Sequence, residues 1–523
     1  MNYSQIKNLK LKDPEDYRGA CMTQCSDKTL ELSEDYILPD YLPDAKKILK
    51  FITKPVIETR FLGSSGLEYS GSVYCRALYL AEDSSLRSAI FSLPFEDRLS
   101  AEGLCDECVD FLTPCVTAPQ CRLQNPRKMN VRMKLTSSIE IWQGMETLPE
   151  VYGGNKSSDT GLQMNLTCLP SMNVICVRED DLSISEDITL DKSMPDIDEI
   201  IFADAEVIFD ECRGSKNEIM CRGNLLFECI YRSPEGANWF LNRVVPISEN
   251  LSAEGAEAES MIRAKCLTKI PDLNIVSDEF GNRRVIELDL SYLTEIVCMN
   301  RKNIFCATDA YSVSGNAENS FSPMNFFAPE EKIVSGFSVG ESLSADDCSL
   351  HSEDVIIAYF LRPEMHLADN AGKHGKMAFE GECRVSLLVS RPENPTREVN
   401  FTLPLRFESD RPHKEGLSYS HKTCSRASGA RVRFDGERIY LDFEVTLSSL
   451  ITKEQSISML SAVRLTPESE KMSKKTACIK VYYPSKEESL WDISKKYSLS
   501  PETITLSNGI NGTDIPSVVK IPS

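Results

Sequence analysis

A mainly β, multidomain protein is the fold class this sequence predicts: three repeated β-rich modules and then one small βααβ module. Three observations lead there. The runs EYSGSVYCRALYL, IMCRGNLLFECIYR and AFEGECRVSLLVS alternate like strands, and each carries a glycine: Gly71, Gly223 and Gly381. Each glycine precedes a proline by the same 23 residues (71 to 94, 223 to 246, 381 to 404). The last 46 residues, from Cys478 onward, change to helical spacing.

The first two copies share one register. Ser33-Glu34-Asp35 matches Ser185-Glu186-Asp187, Pro43-Asp44 matches Pro195-Asp196, and Leu99–Gly103 matches Leu251–Gly255, all offset by 152. The third copy, offset by 158 from the second, keeps the strands and loses the Pro-Asp pair. Each copy ends in a long alternating run: MNVRMKLTSSIEIW, RRVIELDLSYLTEIV and RIYLDFEVTLSSL. Such alternation buries one face of a sheet. The expected division is a tail at 1–29 and modules at 30–155, 181–312 and 336–465. Linkers are expected at 156–180, 313–335 and 466–475, then a C-terminal domain at 476–523. The linker readings rest on tracts rich in Gly, Ser, Asn or charge, such as EVYGGNKSSDTGLQMN and DAYSVSGNAENSFSPM.

Composition restricts the partners. The chain has 523 residues, room for about three to five domains. Lys and Arg number 58 against 79 Asp and Glu, a net charge of −21. Nucleic acid and anionic membrane both need a basic footprint, so neither is an expected partner. No apolar run reaches the roughly 18 residues of a membrane span. The N-terminal MNYSQIKNLKLKDPEDYRG lacks the apolar region of a signal peptide, so a cytoplasmic location is expected.

Nineteen cysteines is an odd number, and most alternate within strand-like runs, which suits reduced, half-buried thiols. Cys105, Cys108, Cys115 and Cys121 have zinc-like spacing. Only one cysteine of this region recurs, as Cys115, Cys266 and Cys424, so the cluster reads as structural and no metal or cofactor is expected. The five histidines (His351, His366, His374, His413, His421) form no metal or nucleophile motif, and no Walker or G-x-S-x-G loop is present. The chain reads as a non-enzyme.

In the C-terminal module, Ile479–Tyr483 reads as a strand and Leu490, Ile493 and Tyr497 as the inner face of a helix. Ser500-Pro501 opens a second helix, Asn508-Gly509 stops it, and Val518–Ile521 closes as a strand. This pattern resembles a LysM module, with Leu490, Trp491, Ile493, Tyr497, Leu506 and Asn508 at the motif positions. It departs where Glu487-Glu488 replaces the usual Gly-Asp. Trp491 and Tyr497 are read as core.

The three repeats, followed by a basic linker (Lys471–Lys475) and this module, resemble the SPOCS-domain spore-coat proteins with a C-terminal LysM. The resemblance implies a non-enzymatic coat scaffold made in the mother cell. It would act at the forespore surface with a coat basement-layer ATPase, stage IV sporulation protein A. The partner or glycan-binding candidates are Glu487, Glu488, Ser489, Asp492, Lys495, Lys496, Asn508, Gly509 and Asn511. The rival expectation is a peptidoglycan or N-acetylglucosamine-binding wall protein using the loops Ser485–Leu490 and Ser507–Asn511.

Overall fold

Each glycine-bearing run is the central strand of a three-stranded antiparallel meander. The structure, a computed structural model, describes residues 18–101, 104, 108–153, 161–368, 375–391, 394–412, 419–467, 480–485, 488–510 and 515–522. The first segment comprises β1 (Arg18–Ile37), β2 (Ala45–Gly63), β3 (Gly66–Ala81), β4 (Leu86–Ser100), β5 (Val109–Asn125) and β6 (Lys128–Glu146). Its meander has the order β2-β3-β4, and a second sheet has the order β1-β6-β5.

After the short β7 (Glu150–Gly153), the second segment has β8 (Leu162–Thr189), β9 (Glu199–Ser215), β10 (Glu218–Arg232) and β11 (Asn238–Ser252). It closes with β12 (Met261–Thr268), β13 (Asp272–Ser277) and β14 (Arg283–Ser312). Its meander is β9-β10-β11, while β14 pairs with β8, β12 and β13 in the other sheet. The third segment has β15 (Gly315–Ser344), β16 (Val355–Leu367), β17 (Lys376–Arg391), β18 (Asn394–Pro412), β19 (Tyr419–Phe434) and β20 (Arg438–Pro467). Its sheets are β16-β17-β18 and β15-β20-β19, with β7 joining β20 in parallel.

The recurring glycine has a steric cause. A Cβ on Gly71, Gly223 or Gly381 would lie 2.1, 1.9 or 2.0 Å from a backbone carbonyl oxygen of Val56, Ile208 or Glu364 on the neighbouring strand. The proline spacing is hairpin arithmetic. Gly71 faces Phe95, Gly223 faces Ile247 and Gly381 faces Leu405, which puts each proline one residue before that partner. β4, β11 and β18 are edge strands of their meanders, where a missing N–H costs no ladder bond. The Pro-Asp pair is a clamped turn. Tyr79 donates to the Pro43 carbonyl and Arg127 binds Asp44; Tyr231 and Arg284 do the same for Pro195 and Asp196.

The two sheets of each segment face one another across a core. In the first, Leu67, Val73, Cys75 and Leu93 meet Leu112, Val131, Leu135 and Ile139. Equivalent cores form around Phe227 and Leu288 and around Phe379 and Leu441. Between segments, β4 borders β9, β11 borders β16 and β18 borders β2, so the meanders close on one another in a ring. Leu78, Leu80, Phe202, Ile230, Phe360 and Leu388 form a core drawn from all three. This placement covers the edges that a free meander would expose to aggregation.

Strand extends into the segments expected as tail and linkers. Residues 18–29 belong to β1, paired with β6, rather than to a tail; residues 1–17 lie outside the described part. The expected linkers at 156–180 and 313–335 are largely strand, because β8 pairs with β14 from Leu162 and β15 pairs with β20 from Gly315. From 315 to 325, β15 alternates between half-buried and exposed positions with one break at Ser320/Phe321, so Asn316, Ser320 and Asn325 lie on the wet side of an edge strand while Asn319 and Ser322 turn to the half-buried side. Of the linker at 466–475, Thr466 and Pro467 end β20, and 468–475 lie outside the described residues.

Candidate functional site

The C-terminal module is built as β21 (Lys480–Tyr482), α1 (Leu490–Tyr497), α2 (Pro501–Asn508) and β22 (Val519–Ile521), with β21 and β22 antiparallel. Ile493, Ile504, Val519 and Ile521 form its core, bordered by Tyr482, Leu490 and Tyr497. Local chemistry sets the helix ends. Ser489 and Asp492 form a capping box, with Asp492 N–H donating to Ser489 Oγ at 3.2 Å and Ser489 N–H donating to Asp492 Oδ2 at 2.8 Å. Ser500 caps α2 with Pro501 in its first turn, and Gly509 ends it at φ 61°, the left-handed region.

Several candidate residues carry module geometry. Glu488 accepts from Tyr482 Oη (2.7 Å) and Ser485 N–H (2.9 Å), and these bonds hold its carboxyl below the ordinary range. Asn508 clasps α2 to β22: its Nδ2 donates to the Ile504 and Lys520 carbonyls and its Oδ1 accepts Lys520 N–H. Lys496 donates to Tyr482 Oη at 2.8 Å, with its Nζ 4.4 Å from the centroid of that ring. Glu487 and Asn511 lie outside the described residues.

Two side chains of α1 reach out of the module. Trp491, expected in the module core, instead meets the end of β14: its Nε1–H donates to Asp309 Oδ2 at 2.8 Å, and its ring meets Tyr311 edge-to-face at 4.9 Å. The hydrophobic spacing of α1 turns Ile493, not Trp491, into the core. Lys495, expected free for a partner, binds both Asp309 oxygens at 2.7 Å. Tyr311 Oη donates to the Leu499 carbonyl at 2.7 Å. The Tyr-containing tract around 311 was legible as a repeated feature, but nothing local marks it as the seat of a module 182 residues away.

A second polar concentration lies where the three segments meet. Asp204 binds Lys54 at 2.6 Å and Arg362 at 3.3 Å, and Arg362 also binds Glu228 at 2.8 Å. Burial pushes the Asp204 carboxyl up, but the two cations outweigh it and leave it below its ordinary value. Nearby Lys50 is driven down to about 8 by burial, with its Nζ 4.0 Å from the centre of the Phe360 ring. The three junctions differ in chemistry. Arg87 and Arg232 grip Glu199 between the first and second segments, while Phe240 meets Tyr359 and Phe360 between the second and third. Lys50 reaches Ser386 between the third and first. A cleft of about 370 Å³ is lined by residues of all three segments, with Phe111, Glu206, Lys265, Cys266 and Cys424 on its walls.

Among the cysteines of the zinc-like spacing, Cys115 and Cys121 lie on β5, Cys108 just before it, and Cys105 outside the described residues. Cys115 and Cys121 are free thiols. His374 and His413 are likewise outside the described residues.

No curated protein and no solved structure matches the chain. Residues 196–275, from the Pro195-Asp196 turn through β9–β12 into β13, are similar to the family described as SipL, SPOCS domain.

Proposed function

We propose that this protein is a non-enzymatic scaffold of spore-coat assembly. In this reading the three segments are three SPOCS modules closed into one platform, and residues 476–523 are a LysM-like docking module. The module recruits a coat basement-layer ATPase of the stage IV sporulation protein A type, in the mother cell at the forespore surface. The observation that carries the reading is the SPOCS match over 196–275, a family of protein-interaction domains tied to sporulation. The repetition of the Gly–Pro register in all three meanders supports extending it to the other two segments. Among the described residues, no helix is long and apolar enough to cross a membrane.

The test is a pull-down from sporulating cells with the whole chain and with a chain lacking residues 476–523. The whole chain should retain the ATPase and the truncated chain should lose it. Equal retention by both would overturn the docking role.

A further inference from the structure

Asp309 and Tyr311 are two residues apart on β14 and therefore share a face of the strand. Trp491 and Lys495 are four apart on α1 and share a face of the helix. The two faces fit group for group. One carboxylate takes the indole N–H and the ammonium, and one phenol ring takes the indole edge-to-face and closes on the Leu499 carbonyl. The carboxylate is held ready for this, since Asp309 Oδ1 also accepts Ala310 N–H at 2.9 Å and Asn319 Nδ2 at 3.1 Å.

We propose that this face of α1 is a recognition surface for an extended segment carrying Asp-x-Tyr, and that the chain's own Asp309-Ala310-Tyr311 occupies it in cis. The proposal rests on the docking role given above and specifies its partner: a protein presenting such an acidic–aromatic segment, which must displace the internal one. Charge complementarity favours this occupant. Lys495 sets an ammonium beside an indole donor, a pair suited to one carboxylate, and the ring beside them suits an aromatic side chain two residues on. A surface available only when the internal segment leaves has its affinity reduced by the open fraction. Weakening the internal segment therefore strengthens external binding without touching the surface itself.

The experiment uses the full chain and a fluorescently labelled peptide of residues 307–314, ATDAYSVS, read by polarisation. Asp309→Asn in the chain removes the charge but keeps the shape, and Tyr311→Phe removes only the hydroxyl bond to Leu499. Each should raise peptide affinity, by about tenfold for Asp309→Asn if the internal contact is closed ten times in eleven. Adding Lys495→Glu to either should abolish the gain. Peptide binding no tighter in both single variants than in the unaltered chain would overturn the proposal, as would binding unchanged by Lys495→Glu. The two readings fail separately. If the ATPase is captured through residues 476–523 while the peptide never binds, docking stands and this recognition mode falls. If the peptide binds as expected and the ATPase is not captured, the surface stands and the named partner falls.

Discussion

Gly223→Ala should unseat the second meander, and the structure sets the scale. The new Cβ would lie 1.9 Å from Ile208 O, 2.7 Å from Phe209 Cα and 2.8 Å from Ile208 C. Ordinary contact begins near 3.4 Å, so β9 must retreat by about 1.5 Å, and every obstructing atom is backbone that no rotamer can move. The register shifts beside this glycine, with Asp210 left as the extra residue of a bulge, so the strand is already bent here. Overpacking alone costs about 1–3 kcal/mol. Losing one or two flanking backbone bonds adds about 0.5–1.5 kcal/mol each. The expected loss is about 2–5 kcal/mol, read as a lower urea midpoint and as faster amide exchange in β9 and β10. Gly336→Ala is the internal control. It lies on β15 and its new Cβ would meet only Val445 O at 3.9 Å, so little should change. A Gly223→Ala loss below about 1 kcal/mol, or equal to the Gly336→Ala loss, would refute the steric account of the repeated glycine.

Other expectations follow from buried polar groups and from the module. Burial, opposed by Arg60 and Lys265, lifts the Glu295 carboxyl to about 7. The folded state then holds a proton that the unfolded state releases near its ordinary pKa, so this group's contribution falls as pH rises from about 4.5 to 7. Glu295→Gln should flatten the stability profile in that window, and an unchanged slope on thermal melts at pH 5 and 7 would count against the assignment. Arg60→Met removes the cation 2.7 Å from Glu295 and 3.3 Å from Asp110; breaking so buried a cluster should cost about 3–5 kcal/mol by chemical denaturation. Asn508→Ala removes the clasp between α2 and β22, a loss of about 1–3 kcal/mol that should show as module-specific amide exchange. Calorimetry with N-acetylglucosamine oligomers should give no saturable heat. Clear binding, lost on changes at Ser485 or Ser507 and kept on charge reversal at Lys495 and Lys496, would favour the wall-binding rival.

What could be read without a structure was whatever local chemistry enforces. Strand alternation, the glycine that a cross-strand carbonyl demands, the proline that only an edge strand tolerates and the Ser489 and Ser500 caps all act within one hairpin or one helical turn. For that reason the glycine-bearing and proline-bearing strands of each repeat and the βααβ order of the last module were legible. Polar tracts misled at 156–180 and 313–335, because a strand with one wet face and a loop share the same composition.

Long-range pairing depends on side chains that are far apart in the chain, and there the tertiary structure decides. Ile52, Asp204 and Phe360 occupy corresponding positions of the three meanders, opposite Arg76, Glu228 and Ser386, yet only the second is charged, and the basic Arg362 stands two residues beyond Phe360. In sequence this looks like drift. In space the acid and the base meet at the junction, with Lys54 completing the network, and the chemistry differs from one junction to the next. Trp491 makes the same point: a tryptophan in a small amphipathic module reads as core until the strand end carrying Asp309 and Tyr311 is placed against it. Hydrophobic spacing sets which face of a helix turns inward, but it carries no information about which surface of another domain meets the rest.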